Sequence, residues 1–464
     1  MRARDGRIRL LVVATHEPWP LNHGAHLRLY HSLRQLVRSA DVTLALRRPA
    51  QHTLELPQPL HVERTCLEQP AGHVPQSWIM RRAWRHFGAD PATAAWLRQN
   101  AQPRRFDVVL LFGPMMGLYV DAVGIPAVWD PIDEPVLYTM RELRSLAVAR
   151  WTVRLRAALL HALFVRHVAR RAAATVVTSP VDASYARRWA GDARVAVITN
   201  GVDFDYFAPA PGPGEPGTMV FVGALDFPPN VDGMLRFTRH IWPPLHRAAP
   251  GRRLVIVGRD PVASVRALSH LPGVEVHANV PDVRPFLARA AVVVVPTRLG
   301  GGVKNKVLEG CAVRRPVVAS PHALVGLSAR RGVDVICAGR PQRWLAQLEQ
   351  LLEDPQRAGR VADAGHRWVR AAHDWSSVAR ELATVLRWAH ERGRGTGVAP
   401  PAAMEEACRC QSPSESRPTP PASPGEAEAS VSDGDFNSSS PPPPQSPWVS
   451  SASTRSSAPS ATSC

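Results

Sequence analysis

The stretch VVVVPTRLGGGVKNKVLEG, residues 292–310, carries three local signals in a row. Val292–Pro296 reads as a short strand buried on both faces, because an unbroken run of β-branched residues offers no polar side. Gly300, Gly301 and Gly302 form a loop whose backbone can adopt unusual dihedrals and let a ligand approach closely. A helix then begins near Lys304 to Lys306 and runs towards Val313. In a parallel α/β sheet such a strand–loop–helix junction lies at the carboxyl edge, where ligands bind.

Working outward, the same alternation recurs on both sides. Ile8–Ala14 predicts a strand, Pro18–Gly24 a loop and Ala25–Arg38 a helix. Further strands are expected at Val42–Leu46, Asp107–Phe112, Ala127–Trp129, Thr175–Thr178 and Val195–Ile198, with a long helical region over Arg141–Ala173. A Pro/Gly-rich break, APAPGPGEPG at 208–217, reads as an interdomain linker. The pattern then restarts with strands at Met219–Val222, Leu254–Val257, Val274–His277, Val292–Pro296 and Pro316–Ala319, and helices at Val231–His240 and Arg284–Arg289. The expected architecture is α/β, with two doubly wound, Rossmann-like units facing a cleft. The expected divisions are a first Rossmann-like domain over 1–207, a second over 208–375, a closing helix over 376–394 and a Ser/Pro-rich tail over 395–464. The tail has three arginines and seven acids, a net −4, and too little apolar content to offset its ordering entropy, so it is expected to be disordered.

The 464-residue chain carries a formal charge of +17, concentrated before the tail. Such a balance points to an anionic partner or to an arginine-rich background composition. Aromatic content of 6% and the lack of a recognition motif argue against nucleic acid. The six cysteines are scattered without a C-x-x-C pair, which favours a reducing, cytoplasmic setting. The N-terminal apolar run is too short for a signal peptide, and no run approaches the ~18 residues of a membrane span. The region Arg141–Arg171 mixes arginines with Leu, Val and Trp. It reads either as a helix lying peripherally on an anionic membrane or as a core helix with a solvated basic side.

Lys304 and Lys306 are the only lysines among 56 basic residues. Cations at a helix N-terminus are locally unfavourable unless a ligand supplies negative charge, and helix N-termini attract phosphate. Lysine brings a compact point charge where arginine brings a wide planar fork. Glu309 lies one helical turn beyond Lys306 and is placed to accept hydrogen bonds from vicinal hydroxyls. The alternative is a solvated Lys–Glu pair beside a plain glycine loop. A P-loop is excluded because G-x-x-x-x-G-K-[ST] is absent. Near the first unit, Gly24 and Arg28 follow the first strand, and WDPIDEP (129–135) brings Asp130, Asp133 and Glu134. These are candidates for holding a hydroxyl-bearing ligand in the crevice, with Asp130 and Asp133 candidates for a general base. His16 and His23 are weaker candidates on the same loop.

Taken in order, TNGVDFDYFAP (199–209), FVGALDFPPNVDGMLRF (221–237), LVIVGRDP (254–261), VPDVRPFLARAAVVVVP (280–296) and GGGVKNKVLEGCAVRRPVVAS (300–320) resemble the retaining GT-B glycosyltransferases of family 4, the glycosyl transferases group 1. Within that family the chain looks most like sugar transferases of exopolysaccharide and exosortase-associated gene clusters. The resemblance spans about residues 7–390. It implies a nucleotide-diphosphate sugar donor held by the second domain and a glycan or lipid-linked acceptor held by the first, with retaining, metal-independent transfer and no cofactor. It places Gly223, Asn230, Arg259, Val280, Arg298, Gly300, Gly301, Gly302, Lys304, Lys306, Val307, Leu308 and Glu309 around the donor, with Glu309 on its ribose. The sequence departs from the family where Gly301 replaces the first of two glutamates and where Ala224 and Asn230 replace an arginine and a lysine. The same subgroup shares this type of replacement, which leaves Lys306, with Lys304 and Arg298, as the expected source of positive charge. A catalytically inert nucleotide-sugar or polyanion-binding protein on the same scaffold is the competing expectation.

Overall fold

Apolar, mostly β-branched runs form thirteen strands among the residues described by a computed structural model, namely 7–15, 17–18, 24–46, 63–66, 78–132, 151–190, 194–300, 302–395 and 398–404. The first sheet contains β1 (Ile8–Ala14), β2 (Ala40–Leu46), β3 (Glu63–Cys66), β4 (Val108–Phe112), β5 (Ala127–Asp130), β6 (Ala174–Val177) and β7 (Val195–Val197), in the spatial order β3-β2-β1-β4-β5-β6-β7. The second contains β8 (Thr218–Val222), β9 (Arg253–Gly258), β10 (Val274–Ala278), β11 (Val292–Val295), β12 (Val317–Ala319) and β13 (Ile336–Cys337), in the order β10-β9-β8-β11-β12-β13. Pairing is parallel in both sheets, with Leu10 opposite Val42 and Val108, and Val220 opposite Val255 and Val293. Each sheet therefore reverses its winding once, between β1 and β4 and between β8 and β11. The crevices outside the carboxyl ends of those strands are where such sheets bind ligands.

Helices cover both faces of each sheet, which is why central strands such as β4 and β11 are buried along their whole length. One face of the first sheet packs against Gly24–Leu36 and the late helix Trp375–Gly393. The other face packs against Trp78–Phe87, Pro91–Asn100 and Trp151–Arg171. In the second sheet, one core includes Val307, Leu308 and Cys311 of the helix Asn305–Ala312. The opposite core includes Met234 and Phe237 of Pro228–His240 and Trp344 and Leu348 of Pro341–Glu353. Pro228 and Pro229 stand in the first turn of their helix, where the missing N–H costs nothing.

Two departures from expectation concern the connections. The segment 208–217 is not a free spacer. Ala210 N–H donates to Val313 O at 3.1 Å, and Glu215 accepts from Arg289 Nε at 2.6 Å, so the segment lies against the second sheet's layers. The passage between the sheets lies just upstream: Val202 N–H donates to His373 O at 2.8 Å, and Val202 bridges Asp374 in parallel. The chain thus crosses out at 199–202 and returns at 373–375 side by side. Residues 398–404, inside the stretch expected to lack structure, pack on the first sheet's core, where Met404 is buried. Residues 405–464 lie outside the described residues, as do 133–150.

The returning helix makes a direct prediction. Leu382 is fully enclosed against the first sheet although it follows the second in sequence. Leu382→Ala should cost about 2–5 kcal/mol in urea denaturation. An unchanged midpoint would show that the helix is not part of that core.

Candidate active site

The loop after β11 has the backbone its glycines foretold. Gly300 has φ +90° and Gly302 φ +64°, both in the left-handed region. His322 Nε2 lies 2.8 Å from Gly300 O, and Ser320 Oγ donates to Thr297 O, so the loop is pinned from the strand beyond it. Gly301 lies outside the described residues. The helix Asn305–Ala312 follows, with Lys304 at its N-cap and Lys304 Nζ donating to Gly302 O at 3.1 Å.

Lys306 turns inward to the carboxyl end of β8. Its Nζ donates to Asn230 Oδ1 at 2.5 Å and lies 4.6 Å from the centre of the Phe221 ring. Asn230 is held by its own Nδ2 donating to Ala224 O at 2.8 Å. A Cβ on Gly223 would stand 2.9 Å from both Lys306 Nζ and Asn230 Nδ2, so glycine is what leaves room for the ammonium. Desolvation lowers the Lys306 ammonium from 10.5 to about 7, opposed by nearby Glu309 and assisted by Lys304. Desolvation likewise raises the Glu309 carboxyl from 4.5 to about 7, against the pull of Lys306. Among the described residues the Glu309 carboxylate accepts no hydrogen bond, so its acceptor capacity is open to a ligand.

The other expected donor contacts divide. Arg298 spends its fork on Asp232, at 2.8 and 3.1 Å, and Arg259 Nη1 donates to Asp260 at 3.0 Å. Val280 is half-buried against the second sheet's core. Val307 and Leu308 are corrected: their side chains have no exposure and belong to that core, because they occupy the inward face of the helix that Lys306 flanks.

The expected acceptor contacts are corrected more sharply. Arg28 is 1% and Asp130 0% exposed, and they pair with each other through Arg28 Nε and Nη2, each 2.9 Å from Asp130 Oδ2. Asp130 Oδ1 accepts the Ile132 N–H at 2.9 Å. A carboxylate with both oxygens occupied and no surface cannot take a proton from an acceptor, so Asp130 is not the general base and Arg28 is not an acceptor contact. Asp133, Glu134, His16 and His23 lie outside the described residues. Gly24 does face the crevice, but its close neighbour is Asn305 Nδ2, 3.4 Å from where a Cβ would be.

Sequence reasoning passed over the residue that links these parts. Arg28 Nη1 donates to Thr199 O at 3.0 Å and to Asn200 Oδ1 at 3.1 Å, and Asn200 Nδ2 donates to Asn305 Oδ1 at 3.1 Å. Asn305 stands between the two lysines. A polar chain therefore runs from beneath the first crevice, through the crossing point, to the N-terminus of the glycine–lysine helix.

Comparison with known proteins bears on the fold. Residues 216–354 match the glycosyl transferases group 1 family, which locates this likeness in the second sheet and its helices. The fold is GT-B: a sucrose-phosphate synthase from Thermosynechococcus elongatus superposes with a TM-score of 0.62 at 16% identity, covering 82% of this chain and 99% of that one. Anabaena Alr3699/HepE, solved with UDP-glucose, superposes with a TM-score of 0.58 at 15% identity over 82% and 100%. In sequence, the chain is 27% identical over 238 residues to a GDP-mannose-dependent alpha-(1-6)-phosphatidylinositol monomannoside mannosyltransferase of Mycobacterium tuberculosis, covering 46% of this chain and 61% of that one. The chain therefore spans about three fifths of the length of that relative.

Two predictions follow from the burial of these charges. Asp130→Ala should destabilise the fold by about 3–5 kcal/mol, as removal of one partner from a buried pair does, whereas the isosteric double change Arg28→Met with Asp130→Leu should recover most of that. A catalytic aspartate would show the reverse, lost turnover with an intact melting temperature. The Lys306–Glu309 pair sets a pH profile in the ligand-free protein. Between pH 4.5 and 7 the folded state binds the Glu309 proton more tightly than the unfolded chain, so stability falls as pH rises. Between 7 and 10.5 the folded state releases the Lys306 proton first, so stability rises. Glu309→Gln should flatten the lower limb and Lys306→Met the upper, measured by chemical denaturation across pH. Identical profiles in all three proteins would refute the coupling.

Proposed function

We propose that this chain is a glycosyltransferase that moves a sugar from a nucleotide-diphosphate sugar to a hydroxyl of a glycan or lipid-linked acceptor. The reading includes retention of configuration, no metal, and a role in exopolysaccharide or another cell-surface glycan, carried out in the cytoplasm. The observation that carries it is the Lys306 ammonium, held by Asn230 at the carboxyl end of β8 beside the glycine loop and the N-terminus of Asn305–Ala312. The relative named for GDP-mannose and the structural neighbour solved with UDP-glucose support a nucleotide-sugar donor.

In this reading the diphosphate sits against Lys306, the Gly300–Gly302 amides and the helix terminus. Its negative charge restores the ammonium that desolvation otherwise suppresses. As the sugar–phosphate bond breaks, charge grows on the departing diphosphate, and the fixed cation and amides stabilise that charge more than the ground state. Glu309 accepts from the ribose hydroxyls. The acceptor enters from the first domain's crevice, and its binding in reach of the sugar supplies the remaining rate gain. Peripheral contact with an anionic membrane is supported by Leu155 and Leu159, 62% and 59% exposed, next to exposed Arg156 on the helix Trp151–Arg171. The inert-binder reading keeps one supporting fact: Gly301 stands where the family has a glutamate.

A thermal-shift screen with UDP-, GDP- and ADP-sugars should show stabilisation of the wild type by one nucleotide class. Lys306→Ala, and Gly223→Ala by displacing Lys306, should lose most of it. Release of the nucleoside diphosphate on incubation with the stabilising donor distinguishes transfer from inert binding. Equal shifts in wild type and Lys306→Ala would overturn the assignment of the donor site.

A further inference from the structure

A second cavity lies at the opposite end of the first sheet, beneath the amino ends of β5 and β6. Its volume is about 580 Å³, and five arginines, Arg98, Arg170, Arg171, Arg194 and Arg392, line it against a single acid, Asp121. Asp121 is already committed, with His167 Nε2 at 2.8 Å and Arg171 Nε at 3.3 Å. The other four arginines make no ion pair among the described residues. Arg194 and Arg392 share one indole, their guanidinium carbons 5.6 and 5.3 Å from the centre of the Trp388 ring.

An arginine-rich chain scatters guanidinium groups widely, and elsewhere several of them meet an acid. Arg253 and Arg289 meet Glu215, Arg284 meets Asp282, Arg298 meets Asp232, and Arg314 meets Asp363. Like charges gathered round one concavity repel, and the field they set up concentrates anions there. Guanidinium forks match phosphate oxygens in pairs. The floor is apolar, including Leu118, Val120 and Ile125, and the volume falls in the range of small-molecule sites.

From this we infer that the cavity is a binding site for a phosphate-bearing ligand, separate from the donor crevice and independent of the glycosyltransferase reading. The group bound is a phosphate of two or more negative charges, presented either by a soluble organic phosphate or by a lipid headgroup. Arg98, Arg170, Arg194 and Arg392 supply the charge, and the Asp121–His167–Arg171 cluster fixes one wall.

The test is calorimetry of inorganic pyrophosphate with the full chain, in the wild type, in Lys306→Ala and in both backgrounds carrying Arg170→Gln with Arg392→Gln. The two substituted arginines are exposed and make no ion pair among the described residues, and Arg392 gives up only its contact with the Trp388 ring, so the melting temperature should change little. A pyrophosphate site should survive Lys306→Ala and weaken roughly tenfold or more with the double change. Loss of all binding in Lys306→Ala, or indifference to the arginine changes, would overturn the inference. Co-sedimentation with vesicles of phosphatidic acid, a phosphomonoester, that disappears in the double variant assigns the phosphate to a lipid headgroup. Pyrophosphate binding without vesicle binding assigns it to a soluble ligand.

Discussion

The Arg28–Asp130 pair is the constraint on which the crevice depends. Two charges without exposure are costly to bury, and their mutual attraction offsets that cost only when the remaining donors and acceptors are also satisfied. Here they are. Asp130 takes the Ile132 N–H, and Arg28 spans to Thr199 and Asn200. The pair thereby ties the helix after β1, the end of β5 and the crossing between the sheets to one point. Through Asn200 and Asn305 the same network sets where the glycine–lysine helix starts, and so where Lys306 can reach.

Lysine at 306 has a physical reason beyond its size. The Lys306 ammonium lies between Phe221, Gly223 and Asn230, and Asn230 Oδ1 is its hydrogen-bond acceptor among the described residues. Desolvation also acts differently on the two cations. A lysine in an empty site can give up its proton near neutral pH, whereas an arginine stays charged and bears the full desolvation cost. The site is thus tolerable without ligand and cationic wherever an anion neutralises it. Asn230 supplies only the acceptor that aims the lysine.

Much of the scaffold was legible because parallel strands covered on both faces appear as unbroken apolar runs, as at Leu10–Ala14, Val108–Phe112 and Val292–Val295. The glycine loop was legible for a similar reason, since consecutive glycines before a helix have few other uses. What escaped was local signal too weak or too mixed. β3 and β13 are short edge strands, and no helix was read over 341–372 although Trp344, Leu348 and Leu351 stand at helical spacing among glutamines and glutamates. The misreading of Asp130 had a different origin. An acid at a strand end looks the same whether it faces substrate or a buried arginine, and its partner lies 102 residues away. Val307 and Leu308 entered the site with the motif that carried the resemblance, whereas helical periodicity turns their side chains into the core.

The two neighbouring passages of the chain between the sheets, bound by Val202 to His373 and by Gly201 against Trp375, behave like two pins on one side of a door. A single strand would let the halves swivel and slide freely; a pair fastened together permits swinging about their common line and resists shear. Such a swing moves each sheet with its own packed layers and needs no exchange between them.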